Sequence, residues 1–387
     1  MAISIIIFLV IFCILVVSHE FGHYIIGKKN GIHANEFFIG VGPKLFHFTK
    51  DGTEFSVRLL PFGGACVFKG LEPEDIEEDE EEVDIKSKAE LGEVQEVVDI
   101  IDDSEAGEDI EPSYDDEDDE GSFLKAPVWG RIATTLAGPL FNVILAYLCG
   151  AILASATGVV IPEIRSVMPG SGAEEAGLME GDIIVKINSH SVHLSDEVSF
   201  ASFYSAGESM KITVKRNGEK KTFTVTPKYS EEDQRYYIGI TNGRYLECNL
   251  GQSLLYGAYN VQYILRATLD SLRMLFTGQV GKDDLAGPVG MVKMVDDTYE
   301  QSKHYGALSV LLSMVYLMML LSANLAVMNL LPIPALDGGR LVFLLIEAVR
   351  GKPVPADKEG YVHLAGMALL FALMIFVLFN DISKFFR

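Results

Sequence analysis

Four long apolar segments constrain this chain more than any other feature of its sequence. Crossing a bilayer as an α-helix takes about 20 predominantly apolar residues, and a chain with several such stretches does not fold as a soluble globular protein. We therefore predict a polytopic α-helical membrane protein with about four transmembrane helices. The apolar segments are Ala2–Val17 (continuing through Ser18–Ile26), Ile132–Thr157, Ala307–Met328 and Tyr361–Phe379.

Negative charge is concentrated in one other segment. The formal net charge is −23, although 49% of the residues are apolar. Residues 72–120 hold 26 of the 54 acidic residues and only two basic ones, whereas the rest of the chain is close to neutral. We interpret 72–120 as a disordered acidic insert. Because no basic patch is present, we expect the lipid bilayer as a partner and no nucleic acid.

Basic residues indicate the orientation of the spans. Cytosolic loops of membrane proteins are enriched in Lys and Arg. We therefore place the loop between the first two spans, with its acidic insert, in the cytosol, and both termini and residues 158–306 on the outer side. Lys384 and Arg387 near the C-terminus argue weakly for the opposite orientation. The basic residues of that loop nearest the two spans are Lys28, Lys29, Lys125 and Arg131.

The first span contains the sequence His19-Glu20-Phe21-Gly22-His23. Residues i and i+4 of a helix share a face, so both imidazoles can bind one cation. Glu20 can take a proton from an attacking water, which is the arrangement of zinc-dependent hydrolysis. A charged side chain at the centre of a span costs roughly 2.5–3.5 kcal/mol, and metal binding explains its presence. The alternative is that both histidines hydrogen-bond to neighbouring helices.

A catalytic zinc site commonly has three protein ligands, and we expect Asp337 to be the third. Segment Asn329–Arg340 contains two prolines that stop a helix and a Gly-Gly pair at which the chain can turn back. Asp337 would then lie on irregular backbone at membrane depth, which is tolerated only inside protein or beside a cavity. His33 and His47 are less favoured ligands, and an ordinary turn is the alternative role for Asp337.

These two motifs together resemble the site-2 protease family of intramembrane zinc metalloproteases, in its bacterial branch of the regulator-of-sigma-E protease (RseP) type. The matching elements are HExxH in the first span and Asn-x-x-Pro-x-Pro-x-Leu-Asp-Gly at the end of the third. The resemblance implies one Zn²⁺ per chain, a catalytic carboxylate, three metal ligands and a set of substrate-binding residues. The catalytic carboxylate would be Glu20, and the metal ligands would be His19, His23 and Asp337. The substrate-binding residues would be Asn324, Asn329, Gly63 and Gly64.

Residues 45–60 predict a β-hairpin, because apolar residues alternate on both sides of a turn at Asp51-Gly52. A substrate helix must unwind before a peptide bond is cut, and its exposed amides then need partners. A strand edge offers hydrogen-bonding partners to such amides. The site-2 protease family, which this sequence resembles, has a membrane-associated β element here, followed by a turn that Gly63-Gly64 matches. We expect a substrate-binding edge over 45–60. A plain cytosolic hairpin is the alternative.

Residues 158–230 resemble a PDZ domain of the bacterial protease type. Gly177 predicts the end of a short helix, Gly181 a turn before a strand, and Asn217-Gly218 a second hairpin. We therefore expect one extracytoplasmic α+β PDZ domain. Such domains bind peptides by strand addition, but this one could instead exclude large ectodomains, and the sequence leaves both possibilities open.

The second apolar segment contains Gly138-Pro139 and Asn142. Small residues allow helices to approach closely, and an asparagine can bond across the interface. We interpret these residues as helix packing, with substrate contact as the alternative.

These features predict the following division of the chain. Residues 1–26 form transmembrane helix 1, 27–71 a membrane-associated β-hairpin loop, 72–120 the acidic insert, 121–157 transmembrane helix 2, 158–230 the PDZ domain, 231–306 a post-PDZ strand, an amphipathic helix and a loop, 307–340 transmembrane helix 3, 341–360 a short cytosolic amphipathic segment, and 361–387 transmembrane helix 4 with the C-terminus.

The predicted function is zinc-dependent endopeptidase cleavage within the transmembrane segments of single-span membrane proteins. The resemblance implies a bacterial cell membrane, an active site near the cytosolic side, and anti-sigma factors or signal-peptide remnants as substrates, cut beforehand by a site-1 protease. Two other hypotheses stand beside it. One is a non-catalytic membrane scaffold with a PDZ unit and a structural metal site, and the other is a transporter.

Overall fold

The computed structural model describes residues 2–71, 120–205, 207–231, 235–278 and 287–384. The predicted acidic insert, apart from its last residue, lies outside these residues. The helices, in chain order, are α1 (Ala2–Lys29), α2 (Val128–Thr157), α3 (Gly172–Ala176), α4 (Ser195–Tyr204), α5 (Leu250–Phe276), α6 (Pro288–Ser302), α7 (Ala307–Asn329), α8 (Asp337–Arg350) and α9 (Ala356–Lys384). The strands are β1 (Ala34–Lys50), β2 (Thr53–Phe68), β3 (Val159–Val167), β4 (Ile183–Ile187), β5 (His190–Ser191), β6 (Met210–Arg216), β7 (Glu219–Val225), β8 (Lys228–Ser230), β9 (Arg235–Tyr237) and β10 (Ile240–Leu246).

Helices α1, α2, α7 and α9 of the described chain are long and apolar enough to cross a membrane. Helices α1 and α2 cross at very short range: a Cβ added to Gly22 would lie 2.4 Å from the carbonyl oxygen of Ala137. Small residues of this kind let helices pack without large side chains between them. Helix α9 is almost fully exposed along its apolar length, so α1, α2 and α7 form the packed part of the bundle.

Strands β1 and β2 both bend and form a four-stranded sheet, in which 36–39 and 54–57 lie in parallel register and the outer pairs are antiparallel. Residues 34–39 lie in its interior, paired with 64–68 on one side and, over 36–39, with 54–57 on the other. Residues 44–50 pair with the first part of β2. The two outer strands are therefore 44–50 and 64–68.

The predicted hairpin and its turn at Asp51-Gly52 are present, with positive φ at both turn residues. The substrate-binding role of the edge over 45–60 stays a prediction, and a different edge of the sheet lies beside the helices. Strand 44–50 is exposed, whereas strand 64–68 runs along α1, where a Cβ on Gly64 would lie 2.8 Å from Val16 Cγ1. Alternating apolar residues identify strands, but they do not say which edge a helix covers.

The PDZ-like domain is an α+β unit with the sheet order β10-β3-β4-β6-β7, and β5 pairs with β4. This corrects the predicted boundary at residue 230, because β10 pairs with β3 and belongs to the same sheet. Helices α3 and α4 contribute Ala173 and Val198 to its core. The most deeply buried side chains of the sheet are Ile164, Ile184, Ile212, Val214 and Val225.

An ion pair stabilises this domain. Asp182 is 1% exposed and accepts hydrogen bonds from Arg216 Nε and Nη2, both at 2.7 Å, and from Met179 N–H at 3.0 Å. Burial opposes ionisation, but these donors outweigh it and hold the pKa of Asp182 below its usual range. A carboxyl with a lowered pKa in the folded state stabilises the fold above its unfolded pKa, and this contribution is lost as the pH falls through the folded pKa.

We therefore expect Asp182→Asn to destabilise the domain by about 3 kcal/mol, since it leaves Arg216 without its charged partner. The difference in the free energy of unfolding between wild type and Asp182→Asn should disappear as the solution is acidified below about pH 4. Native-state hydrogen exchange of the β6 amides in the detergent-solubilised chain measures both effects. Glu219→Gln is the matched control, because Glu219 and its partner Lys221 are exposed. Equal protection in the two variants would contradict the prediction.

Helix α5 joins the PDZ-like domain to the helix bundle. The His193 ring stacks on Tyr259 with centroids 3.7 Å apart, and Arg266 pairs with Glu197 of α4. On its other side, a Cβ on Gly257 would lie 2.8 Å from Ala151 N in α2. The predicted amphipathic helix is thus a connector between the two parts.

The predicted loop before residue 306 contains α6. Asp381 of α9 holds the start of this helix, accepting hydrogen bonds from Gly287 N–H and Gly290 N–H, each at 2.9 Å. A carboxylate is favourable at a helix N-terminus, where backbone N–H groups lack partners. This contact is therefore a point of attachment for the otherwise exposed α9.

Candidate active site

Two histidines and one aspartate converge between α1 and α8. His19 and His23 lie one turn apart on α1, and Asp337 is the first residue of α8, after the proline-containing turn that ends α7. His19 Nε2 lies 3.2 Å from His23 Nε2, and Asp337 Oδ2 lies 3.0 and 3.4 Å from these two nitrogens. Both histidines are buried.

This geometry fits a zinc ion. Two atoms that each lie about 2.0–2.1 Å from a tetrahedral zinc are about 3.3 Å apart, which agrees with the three separations above. Asp337 Oδ2 is also buried and, among the described residues, accepts no hydrogen bond of normal geometry. A buried carboxylate oxygen without a donor is costly unless a cation is bound. In the described parts of the chain, these three side chains form the group whose ligand atoms lie close enough together to hold a metal ion.

The turn before Asp337 differs from the expectation in one respect. Neither Gly338 nor Gly339 has a positive φ, whereas Ala335 does, at 75°. The glycines are needed because the turn packs against them: a Cβ on Gly338 would lie 2.2 Å from the Leu331 carbonyl oxygen, and one on Gly339 2.4 Å from that of Ile333. Close packing, rather than backbone freedom, brings Asp337 to the histidines.

Glu20 lies beside the triad and is held by the sheet edge. The Cys66 backbone N–H donates a hydrogen bond of 2.9 Å to Glu20 Oε2, so this carboxylate has a fixed position without being one of the three converging atoms. Burial, together with the nearby Glu20, raises the pKa of the Cys66 thiol, which stays neutral and a weak ligand.

A cavity of about 130 Å³ joins these groups. It is open enough for water and is lined by both polar and apolar side chains. The lining residues are His19, Glu20, His23, Ala65, Cys66, Phe68, Phe123, Thr134, Thr135, Asp337 and Arg340.

The four residues predicted to bind substrate do not line this cavity. Asn324 accepts a hydrogen bond from Thr268 Oγ1 of α5, and Asn329 is the last residue of α7. Gly63 and Gly64 lie on β2, just before the part of the edge that reaches Glu20. Their roles therefore stay predictions. Of the alternative ligands, His47 pairs with Glu54 and does not line the cavity.

Sequence reasoning missed the contribution of α2 to this site. Thr134 and Asn142 contact the two imidazoles, and Gly138 lies so close that an added Cβ would be 2.3 Å from His23 Nε2. The Gly138-Pro139-x-x-Asn142 pattern was the available signal, and its interpretation as helix packing, with substrate contact as the alternative, did not include a contact with the two histidines. The pattern contacts His19 and His23.

A helix with an HExxH motif, beside a carboxylate from another helix and within a bundle of apolar helices, defines a membrane metalloprotease. The comparison with family models agrees: the model for peptidase family M50 matches residues 7–373. The chain belongs to peptidase family M50. Among curated relatives, the regulator of sigma-W protease RasP of Bacillus subtilis is 35% identical over 99% of both chains. The zinc metalloprotease RasP of Geobacillus kaustophilus is also 35% identical, over 99% of this chain and 98% of its own.

Among solved structures, the PDZ domain of an SdrC-like protein from Listeria monocytogenes matches 22% of this chain and 86% of its own. The identity is 22% and the TM-score is 0.20. The PDZ-like domain is therefore characterised by its own strand order.

Proposed function

We propose that this chain is a zinc-dependent intramembrane endopeptidase that cuts the transmembrane segments of single-span membrane proteins, using one zinc ion per chain. The observation that carries the proposal is the convergence of His19, His23 and Asp337 beside Glu20, on a helix apolar enough to span a membrane. Membership of a family of zinc metalloproteases supports the same chemistry.

Each residue has a distinct role in this proposal. His19 Nε2, His23 Nε2 and Asp337 Oδ2 hold the metal, which when bound supplies a Lewis acid for hydrolysis. Glu20 takes a proton from the attacking water on its carboxylate and later delivers a proton to the nitrogen of the leaving peptide. The Cys66 N–H keeps that carboxylate in place.

Strand 64–68 is the proposed docking edge for an unwound substrate. An extended peptide can add to a strand edge through backbone hydrogen bonds, and this edge, partly buried beside α1, reaches Glu20 through Cys66. A substrate segment paired here would place its amide bonds next to the catalytic carboxylate. Asn324, Asn329, Gly63 and Gly64 belong to the same proposal as residues that hold the substrate.

The proposed topology is multi-pass in a bacterial cell membrane. Helices α1, α2, α7 and α9 are the spans, the acidic insert is cytosolic, the active site is near the cytosolic side, and the PDZ-like domain is extracytoplasmic. The basic residues between the first two spans support this orientation.

The relative named regulator of sigma-W protease suggests the substrate class. We infer that membrane-bound anti-sigma factors or signal-peptide remnants are cut here, after a site-1 protease has shortened their ectodomains. The PDZ-like domain, fixed to the bundle by α5, would exclude substrates whose ectodomains are intact. No observation favours a scaffold with a structural metal site or a transporter.

The test uses the detergent-solubilised full chain and a tagged single-span substrate. We expect one zinc per chain by elemental analysis, cleavage of the substrate with a shortened ectodomain, and loss of cleavage when a chelator removes the metal, with recovery on adding zinc. The same substrate with a large folded ectodomain is the control and should be cut more slowly. Full cleavage by metal-free protein would disprove the proposal.

A further inference from the structure

Helix α2 presents three consecutive turns of one face to the metal-binding histidines. Thr134, Gly138 and Asn142 are spaced four residues apart, so they lie along one side of the helix. The Thr134 carbonyl and the Asn142 amide each contact a ring nitrogen of a histidine. Gly138, between them, leaves room for both rings. Thr134 and Asn142 therefore support the two imidazoles at Nδ1, the ring nitrogens that the proposed metal would not use.

The support of His23 fixes its protonation. His23 Nδ1 lies 2.8 Å from the Thr134 carbonyl oxygen, and this contact is buried. A carbonyl oxygen can only accept, so Nδ1 carries the proton and Nε2 keeps its lone pair for a metal. A backbone group imposes this tautomer, whatever side chain occupies position 134.

His19 receives the equivalent support from a side chain. Its Nδ1 lies 3.3 Å from Asn142 Nδ2, and Asn142 is fully buried. The two ends of an amide are assigned from their partners. The other end of this amide has no partner among the described residues, so His19 alone decides the orientation. His19 can bind a metal through Nε2 only with a proton on Nδ1. The amide is then assigned the opposite way round, with Asn142 Oδ1 rather than Nδ2 facing His19, so that Oδ1 accepts the hydrogen bond from Nδ1–H.

We propose that Asn142 is a positioning residue that fixes the tautomer and ring orientation of His19 for zinc binding. The inference rests on the proposed role of His19 as a ligand. Asn142 itself is held in place because Ser322 Oγ of α7 donates to its backbone carbonyl at 2.8 Å. Partners of this kind behind a ligating histidine are commonly worth 10–100-fold in metal affinity. Residues of three helices, α1, α2 and α7, thus combine to set one ligand.

Two substitutions separate this role from simple packing. Asn142→Leu keeps the approximate size but removes the acceptor, and Asn142→Asp keeps an acceptor for Nδ1–H. If Asn142 positions His19, the dissociation constant for zinc rises about 10–100-fold in Asn142→Leu and is no higher than wild type in Asn142→Asp. If it only packs, the order reverses, because leucine suits an apolar interface and a buried carboxylate does not.

The measurement is zinc competition against a chromophoric chelator, using the full chain in detergent, with the melting temperature of the metal-free protein as the folding control. An unchanged zinc affinity in Asn142→Leu, or a larger loss in Asn142→Asp than in Asn142→Leu, would overturn the inference. If Asn142→Asp does not fold, Asn142→Leu decides alone, provided that its metal-free melting temperature matches wild type. His19→Ala is run in parallel: if it keeps its zinc, the proposed site itself fails, and if only Asn142→Leu keeps it, only this inference fails.

Discussion

Replacing Glu20 with glutamine should lower cleavage of a transmembrane substrate by about 10²–10⁴-fold, the usual contribution of a positioned proton-transfer group. Glutamine has the same shape, and its amide oxygen can still accept the hydrogen bond from the Cys66 N–H. What it loses is the ability to take a proton from water. The barrier would rise by about 3–6 kcal/mol.

Zinc content separates this effect from a loss of the metal site. Glu20 is not one of the three residues whose ligand atoms converge. The Glu20→Gln variant should therefore bind zinc and melt at the same temperature as wild type. His19→Ala should lose both zinc and cleavage. The measurements are single-turnover cleavage in detergent micelles and elemental analysis of the same samples. A Glu20→Gln variant that cuts as fast as wild type would show that the assigned proton transfer is wrong.

The parts of this site within one short segment could be predicted from the sequence. The i, i+4 spacing places His19 and His23 on one face of a helix, whatever the rest of the fold is. Asp337 could be predicted because prolines and a membrane context leave few roles for an aspartate there. Both expectations concern local backbone geometry, which a few residues determine.

The contacts between elements could not be predicted in the same way. Helix α2 is apolar on most sides, and such a pattern does not say which face meets α1, so the contact of Asn142 with His19 was hidden. The pairing of β10 with β3 joins residues that are about eighty positions apart, such as Arg244 and Ile161, and strand patterning gives no register over such a separation. The same reason explains why strand 64–68, rather than 44–50, lies against Glu20. Each of these depends on tertiary packing.

The close approach of α1 and α2 leads to a second large expected effect, at Gly138. A Cβ there would lie 2.3 Å from His23 Nε2, 2.6 Å from His23 Cε1 and 2.8 Å from His19 Cε1. These distances are well inside van der Waals contact, so a Cβ at Gly138 would displace both rings from the positions in which their nitrogens converge with Asp337. Helix α2 cannot move away without breaking its contact at Gly22.

Gly138→Ala should therefore abolish high-affinity zinc binding and cleavage, a larger effect than Asn142→Leu, although alanine is the better helix former by about 1 kcal/mol. The metal-free protein should still fold, so its melting temperature should be close to wild type while its zinc affinity falls by more than about 100-fold, beyond the usual effect of losing one supporting hydrogen bond. Gly360→Ala on α9 is the matched control, because a Cβ there meets no atom within 4 Å. If Gly138→Ala bound zinc as tightly as Gly360→Ala, the imidazoles could not be resting against α2. The proposed support of the histidine rings by α2 would then be wrong, and so would the inference about Asn142.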